Sequence, residues 1–334
     1  MGAQLDCPVF ADAPLAEILA FVRRRLQAGA SSVSFQVLDP DLGRGLYAGE
    51  RVRVGDREFV HRPLRVWIDL AERMHLRLAT PRTSGEHLIR LELSPLDEGA
   101  RWEPAGSVPV TEKYGRDSGY QRIFKAEEPS FVLDLADVLE RIGLGPGARV
   151  LDLGVNTGDE LSLMASLWPE LGRSGTFVGV DHSATALEVA RARFPGPRHR
   201  FVEADVDTLA RLDLGAPFDL IVCIGTLQSP GVDDRALLRH LVQDRLSGSG
   251  AVVLGLPNCR YLDGELLHGA RTKNFRQPEL SLLVKNVAFY RRYLQQHRRK
   301  VYVTGKHTVL VTGVALARGA RASSSAHSAA DRQC

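Results

Sequence analysis

The chain has 334 residues, 44% of them hydrophobic and 25% charged, enough for about two packed domains of roughly 100–200 residues each. This composition excludes fibrous, collagen-like and wholly disordered chains, and no stretch approaches the ~18 apolar residues of a membrane span. Net charge is only +3, so any affinity for nucleic acid must come from a local patch.

The opening residues, MGAQLDCPVFADAPLAEILAF, lack the basic start and small-residue cleavage site of a secretory signal. Cys7, Cys223, Cys259 and Cys334 lie far apart, without metal-ligand spacing, which fits reduced thiols in a cytoplasm. In Pro14 to Leu26, apolar residues Leu15, Ile18, Leu19, Val22 and Leu26 recur at helical intervals. Residues 33–39 read as a strand, and 50–61 as a hairpin turning at Gly55-Asp56. Pro63 to Thr80 predicts a helix and 87–96 alternates as a strand. No polar constellation with chemistry stands out, so residues 1–100 are expected to form a small α/β domain for substrate recognition or dimerisation.

Residues 101–128 are expected to be a linker and a lid. The linker is Gly- and Pro-rich, and EKYGRDSGYQRIF (112–124) offers Tyr114, Arg116 and Tyr120 to a ligand, with glycines that permit movement. A helix over 129–142 follows, opened by Pro129 and ended by Gly143 and Gly145. From there strands at 148–154, 176–181, 199–205, 218–225 and 250–257 alternate with helices at 159–171 and 184–194. A helix over 278–297 precedes strands 299–305 and 308–316, separated only by Lys306-His307 and therefore antiparallel. The expected fold over 129–317 is α/β: a doubly wound, mostly parallel seven-stranded sheet with a terminal antiparallel hairpin. Residues 318–334 are small and polar, and are expected to be a disordered tail.

Ligands of open α/β sheets sit beyond the carboxyl ends of the strands, at the switch point. Strand one ends in Asp152-Leu-Gly154-Val-Asn156-Thr157-Gly158, strand two in Asp181-His182, strand three in Asp205-Val206 and strand four in Cys223-Ile-Gly225. A carboxylate at Asp181 can accept hydrogen bonds from both hydroxyls of a ribose, and one at Asp205 from an adenine amine. A nicotinamide-type GxGxxG pattern would need glycines where Asn156 and Asp159 stand.

The ordered series VLDLGVNTGDE, GVDHS, FVEADVD and FDLIVCIGTL, closed by the reversed hairpin, resembles class I S-adenosylmethionine-dependent methyltransferases over roughly 112–317. The resemblance implies S-adenosyl-L-methionine as cofactor. Asp152, Gly154, Asn156 and Gly158 would surround its methionine part, Asp181 and His182 its ribose, Asp205 and Val206 its adenine, with Cys223 and Gly225 completing the wall. Asn156 replaces a common glycine, and Asn is among the residues that tolerate positive φ.

The family has no universal catalytic residue, because alignment and desolvation carry most of the acceleration. Acceptor-side candidates are Thr226, Gln228 and Ser229 after strand four, and Asn258, Cys259, Arg260 and Tyr261 after strand five. Cysteine addition to a pyrimidine is disfavoured by the residues around Cys223 and Cys259, and no cluster has metal-ligand spacing. His182 and His307 are the histidines nearest the expected site. Residues 257–307 hold eleven basic and three acidic residues with interleaved aromatics, a patch suited to RNA through Arg271, Lys273, Arg298, Arg299 and Lys300. RNA is thus the expected acceptor. A small anionic metabolite is the alternative and a non-catalytic cofactor-binding module the third reading, with no membrane partner and the oligomeric state open.

Overall fold

The computed structural model describes residues 7–102, 109–215, 217–269 and 280–316. The chain divides into two compact units, Met1–Ile123 with Pro257–Leu283, and Phe124–Leu256 with Val284–Cys334.

In the first unit, α1 (Leu15–Gln27) buries Ile18 and Val22, the stripe its spacing predicts. There follow β1 (Val33–Leu38), the hairpin of β2 (Arg51–Val54) and β3 (Arg57–Val60), and α2 (Leu64–Met74). The chain continues through β4 (Leu76–Leu78), β5 (Arg82–Thr83) and β6 (Leu88–Pro95). β1 pairs antiparallel with β6, setting Val33 opposite Leu93, Phe35 opposite Leu91 and Val37 opposite Ile89. These six side chains form one buried face, covered by Ile18 and Val22 of α1 and Trp67 and Leu70 of α2. The helix expected to reach Thr80 stops at Met74. His75 takes a left-handed φ of 55° that ends the helix, and Leu76 and Leu78 then follow strand periodicity against β6.

The second unit begins with α3 (Pro129–Ile142), Pro129 in its first turn and Gly143 left-handed at its end. β7 (Arg149–Leu153), α4 (Asp159–Leu167), α5 (Pro169–Ser174), β8 (Thr176–Asp181), α6 (Ala184–Arg193), β9 (His199–Glu203) and β10 (Phe218–Ile224) follow. The helix expected over 159–171 is two, because Pro169 has no N–H to continue α4 and opens α5 instead. α7 (Asp234–His240), which the sequence reading passed over, is capped by Asp233, whose carboxylate accepts from the N–H groups of Arg235 and Ala236. β11 (Leu246–Pro257) completes the parallel set.

The chain then returns to the first unit as a hairpin of β12 (Cys259–Leu262) and β13 (Glu265–His268), also unforeseen. Asp263 and Gly264 both have positive φ at its turn. Leu262 and Leu267 pack on Leu96, while Arg77 pairs with Asp263 and with Glu265. The segment Pro257–Leu283 therefore clusters with the first unit, although the sequence placed it inside the 129–317 domain. α8 (Ser281–Gln296) leads to β14 (Arg299–Thr304) and β15 (Thr308–Ala315).

The seven-stranded sheet runs β14-β15-β11-β10-β7-β8-β9. β7 through β11 pair in parallel, and β14 and β15 are antiparallel, as expected for the α/β class. Strand order reverses between β7 and β10, and that places the switch point at the carboxyl ends of these two strands. Val150, Val222 and Val253 on the central strands pack with Leu135 and Val138 of α3 and with Leu161 and Met164 of α4 in one core.

Candidate functional site at the switch point

The loop after β7 is shaped by three residues with positive φ: Gly154 at 77°, Asn156 at 47° and Gly158 at 83°. A Cβ on Gly154 would lie 2.1 Å from Thr226 Oγ1, whose hydroxyl donates to the Leu153 carbonyl at 3.0 Å. A Cβ on Gly158 would meet the Phe194 ring at 2.6 Å. Asn156 accommodates its conformation locally, its side-chain oxygen accepting from Thr157 N–H at 2.9 Å.

Asp181, at the end of β8, braces this loop. One carboxylate oxygen accepts from Asn156 N–H and the other from Ser183 N–H, both at 2.9 Å. Ser183 in turn caps α6 by accepting from Ala186 N–H, and His182 lies half-buried between them. Asp205 is exposed beyond β9 and accepts from Asp207 N–H, capping the short turn that opens at Val206. Gly225, after β10, has φ 80° and open space where a side chain would begin.

Asp152 occupies the middle of β7 between Val222 and Gly179, 2% exposed, with its Oδ2 buried and without a hydrogen-bond partner. Burial, and then Glu160 and Asp181, hold its carboxyl well above the usual carboxylate range; Lys125 opposes this. Glu160, in the first turn of α4, is raised chiefly by burial and lowered by Lys125, whose ammonium lies 3.8 Å away over the Phe131 ring. Glu160 and Lys125 escaped the sequence reading, since nothing local to either announces the pair. Burial, aided by Asp152, pushes the Cys223 thiol up to about 12, so it is an inert core side chain.

Several of the remaining residues singled out in the sequence belong to the first unit. Among them are Asn258, Cys259, Arg260 and Tyr261, and Arg260 donates to His75 Nε2 at 2.7 Å. Tyr114 and Tyr120 of the expected lid pack with Trp102, ring centroids 5.1–5.3 Å apart, and Arg116 is exposed near Asp117. Arg271 and Lys273 lie outside the described residues. Arg298 and Lys300 are exposed, but Arg299 corrects the expected phosphate patch: it is 6% exposed and donates to the carbonyls of Ser247, Gly248 and Gly250. Arg299 opens β14 facing the interior, its strand neighbour Lys300 faces the other side, and Arg298 lies in the turn before the strand with a φ of 58°. Among the described residues no group of three or more His, Cys, Asp or Glu is placed to hold a metal, and no helix is long and apolar enough to cross a membrane.

Residues 150–244 match the methyltransferase domain family. Among curated proteins, the trans-aconitate 2-methyltransferase of Methylobacterium nodulans is 38% identical over 123 residues, covering 37% of this chain and 43% of that protein. That of Streptomyces avermitilis is 34% identical over 152 residues, 42% of this chain and 52% of that one. The chain spans about half, or less, of the length of the curated relatives it matches. A solved amino pentose methyltransferase from Micromonospora echinaspora with bound S-adenosylmethionine superposes with a TM-score of 0.38 at 18% identity, over 58% of this chain and 96% of that one. The second unit carries a methyltransferase domain. Its class is the S-adenosylmethionine-dependent class I, with that compound as cofactor. The buried, unpartnered oxygen of Asp152 and the net acidity around it fit a ligand that carries positive charge.

Proposed function

We propose that this protein transfers the methyl group of S-adenosylmethionine to a carboxylate of a small anionic metabolite. The cofactor supplies an electrophilic methyl group on a good leaving group. The residues of the chain would position it: the loop from Gly154 to Gly158 would shape the backbone around it, Asp181 would accept from the ribose and Asp205 from the adenine.

The observation that carries the choice of acceptor is the state of the groups packed at the end of β10. Burial pushes the Cys223 thiol up to about 12, and burial together with its 2.6 Å bond to Asp234 holds the Tyr290 phenol well above its ordinary value. Neither can serve as a general base near neutral pH. An acceptor that arrives already ionised needs none, and a carboxylate does so. The names of the curated relatives, all trans-aconitate 2-methyltransferases, support the same class, and the buried guanidinium of Arg299 weakens the RNA alternative.

The purified protein, given S-adenosylmethionine and a panel of di- and tricarboxylates headed by trans-aconitate, is expected to yield a monomethyl ester by mass spectrometry. A parallel arm with transfer and ribosomal RNA is expected to stay unmethylated. Methylated RNA with no ester would overturn the proposal.

A further inference from the structure

Two carboxyl groups and one ammonium form an unequal cluster beneath the cofactor loop. Asp152, on β7, has an oxygen buried without a partner; Glu160, on the first turn of α4, is ion-paired with Lys125 from the turn before α3. The other groups facing this pair are Asp181 on β8, Cys223 on β10 and Asp159 on α4. Asp181 is satisfied by two backbone N–H groups, Asp159 is paired with Arg193, and Cys223 stays neutral. Among the described residues, Lys125 is the cation paired with Glu160, and it opposes the upward push on both carboxyls. Charging the buried Asp152 beside the largely covered Glu160 is costly, and Lys125 offsets only part of that cost.

We propose that Glu160 is a cofactor-selecting residue, which together with Asp152 takes the sulfonium cofactor in exchange for a proton and so prefers it over the uncharged thioether product. This rests on the assignment of the β7 loop as the cofactor site. Without cofactor, burial and the repulsion of neighbouring carboxylates favour a proton on this pair, opposed by Lys125. On binding, the carboxyl O–H bond breaks, the proton passes to the buffer, and the carboxylate left behind balances the cofactor's positive charge. S-adenosylhomocysteine lacks the charge at sulfur, so less of this proton leaves. The amino group common to both ligands cancels in the comparison. The consequence is that product is displaced by fresh cofactor more effectively as pH rises.

The test is calorimetric titration of S-adenosylmethionine and S-adenosylhomocysteine, with no acceptor present, in buffers of different ionisation enthalpy from about pH 6 to 8.5. Wild type should release more protons for the sulfonium than for the thioether, and its preference for the sulfonium should rise with pH. Glu160→Gln should shrink both effects, cutting the preference roughly 3–10-fold, as one fewer buried charge implies. Lys125→Met should shift proton release the opposite way, a signature that general loss of packing would not produce and that stands alone if Glu160→Gln does not fold. Equal proton release for the two ligands, or both variants moving it in one direction, would overturn the proposal. Failure of both ligands to bind would overturn it together with the cofactor site. The carboxylate acceptor plays no part in any arm, so these outcomes do not bear on it.

Discussion

The backbone N–H of Asn156 donates to a carboxylate oxygen of Asp181 at 2.9 Å, tying the loop after β7 to the end of β8. One side chain thereby shapes the loop and keeps its remaining lone pairs at the end of β8. Asp181→Ala removes both roles, and cofactor affinity should fall by roughly 2–3 kcal/mol, about 30- to 150-fold. Asp181→Asn should fall between wild type and Ala, because its single carbonyl oxygen can keep only one of the two backbone bonds. Calorimetry reads both, and an unchanged affinity in Asp181→Ala would place the cofactor elsewhere.

Asn156 carries a φ of 47° that a β-branched side chain disfavours. Asn156→Gly should leave the melting temperature within about 2 °C of wild type, whereas Asn156→Val should cost about 1–2 kcal/mol. Thermal unfolding of the two variants side by side is the check. Equal loss in both would point to the Oδ1 bond to Thr157 rather than to backbone conformation.

Asp152 holds its carboxyl above the unfolded value, so between the two values the native state binds more protons than the unfolded chain. Its contribution to stability therefore declines as pH rises through that window, with Glu160 acting in the same direction. Cofactor-free Asp152→Asn should melt higher than wild type near neutral pH, by about 1–2 kcal/mol, and the gain should shrink toward pH 4. It should also bind S-adenosylmethionine more weakly. A variant less stable at every pH would show that the charged form is the one held in the fold.

How much of this was legible in the sequence depended on whether the signal was local. α3 matches its expected bounds because Pro129 and Gly143 punctuate both ends, and β8 because an apolar run ends in Asp181. α2 was read too long because alternating Leu76 and Leu78 also satisfy a loose helical pattern, and only the left-handed His75 separates them. α7 and the β12–β13 hairpin carried signals that were passed over, an Asp233 cap and an Asp263-Gly264 turn. The Glu160–Lys125 pair had no such signal, since it exists only once α4 and the turn at Lys125 are folded together. Charge counting likewise could not separate Arg299 from its neighbours, as pleating, not composition, decides which cation is buried.

Arg299→Ala should leave the Ser247, Gly248 and Gly250 carbonyls without their donor and destabilise the protein by about 2–4 kcal/mol. Arg298→Glu and Lys300→Glu, both at exposed positions, should stay within about 0.5 kcal/mol and leave methylation of an acid unaltered. Melting curves with the ester assay distinguish these cases. If Arg298→Glu and Lys300→Glu abolished turnover, the basic run would be a substrate surface after all.

The central claim, methyl transfer to a carboxylate, is tested most directly by where a labelled methyl group ends. With methyl-labelled S-adenosylmethionine and trans-aconitate, the label should enter the acid and return as volatile methanol after mild alkali, the behaviour of a methyl ester. Label that resists alkali, or that enters only RNA, would contradict the account.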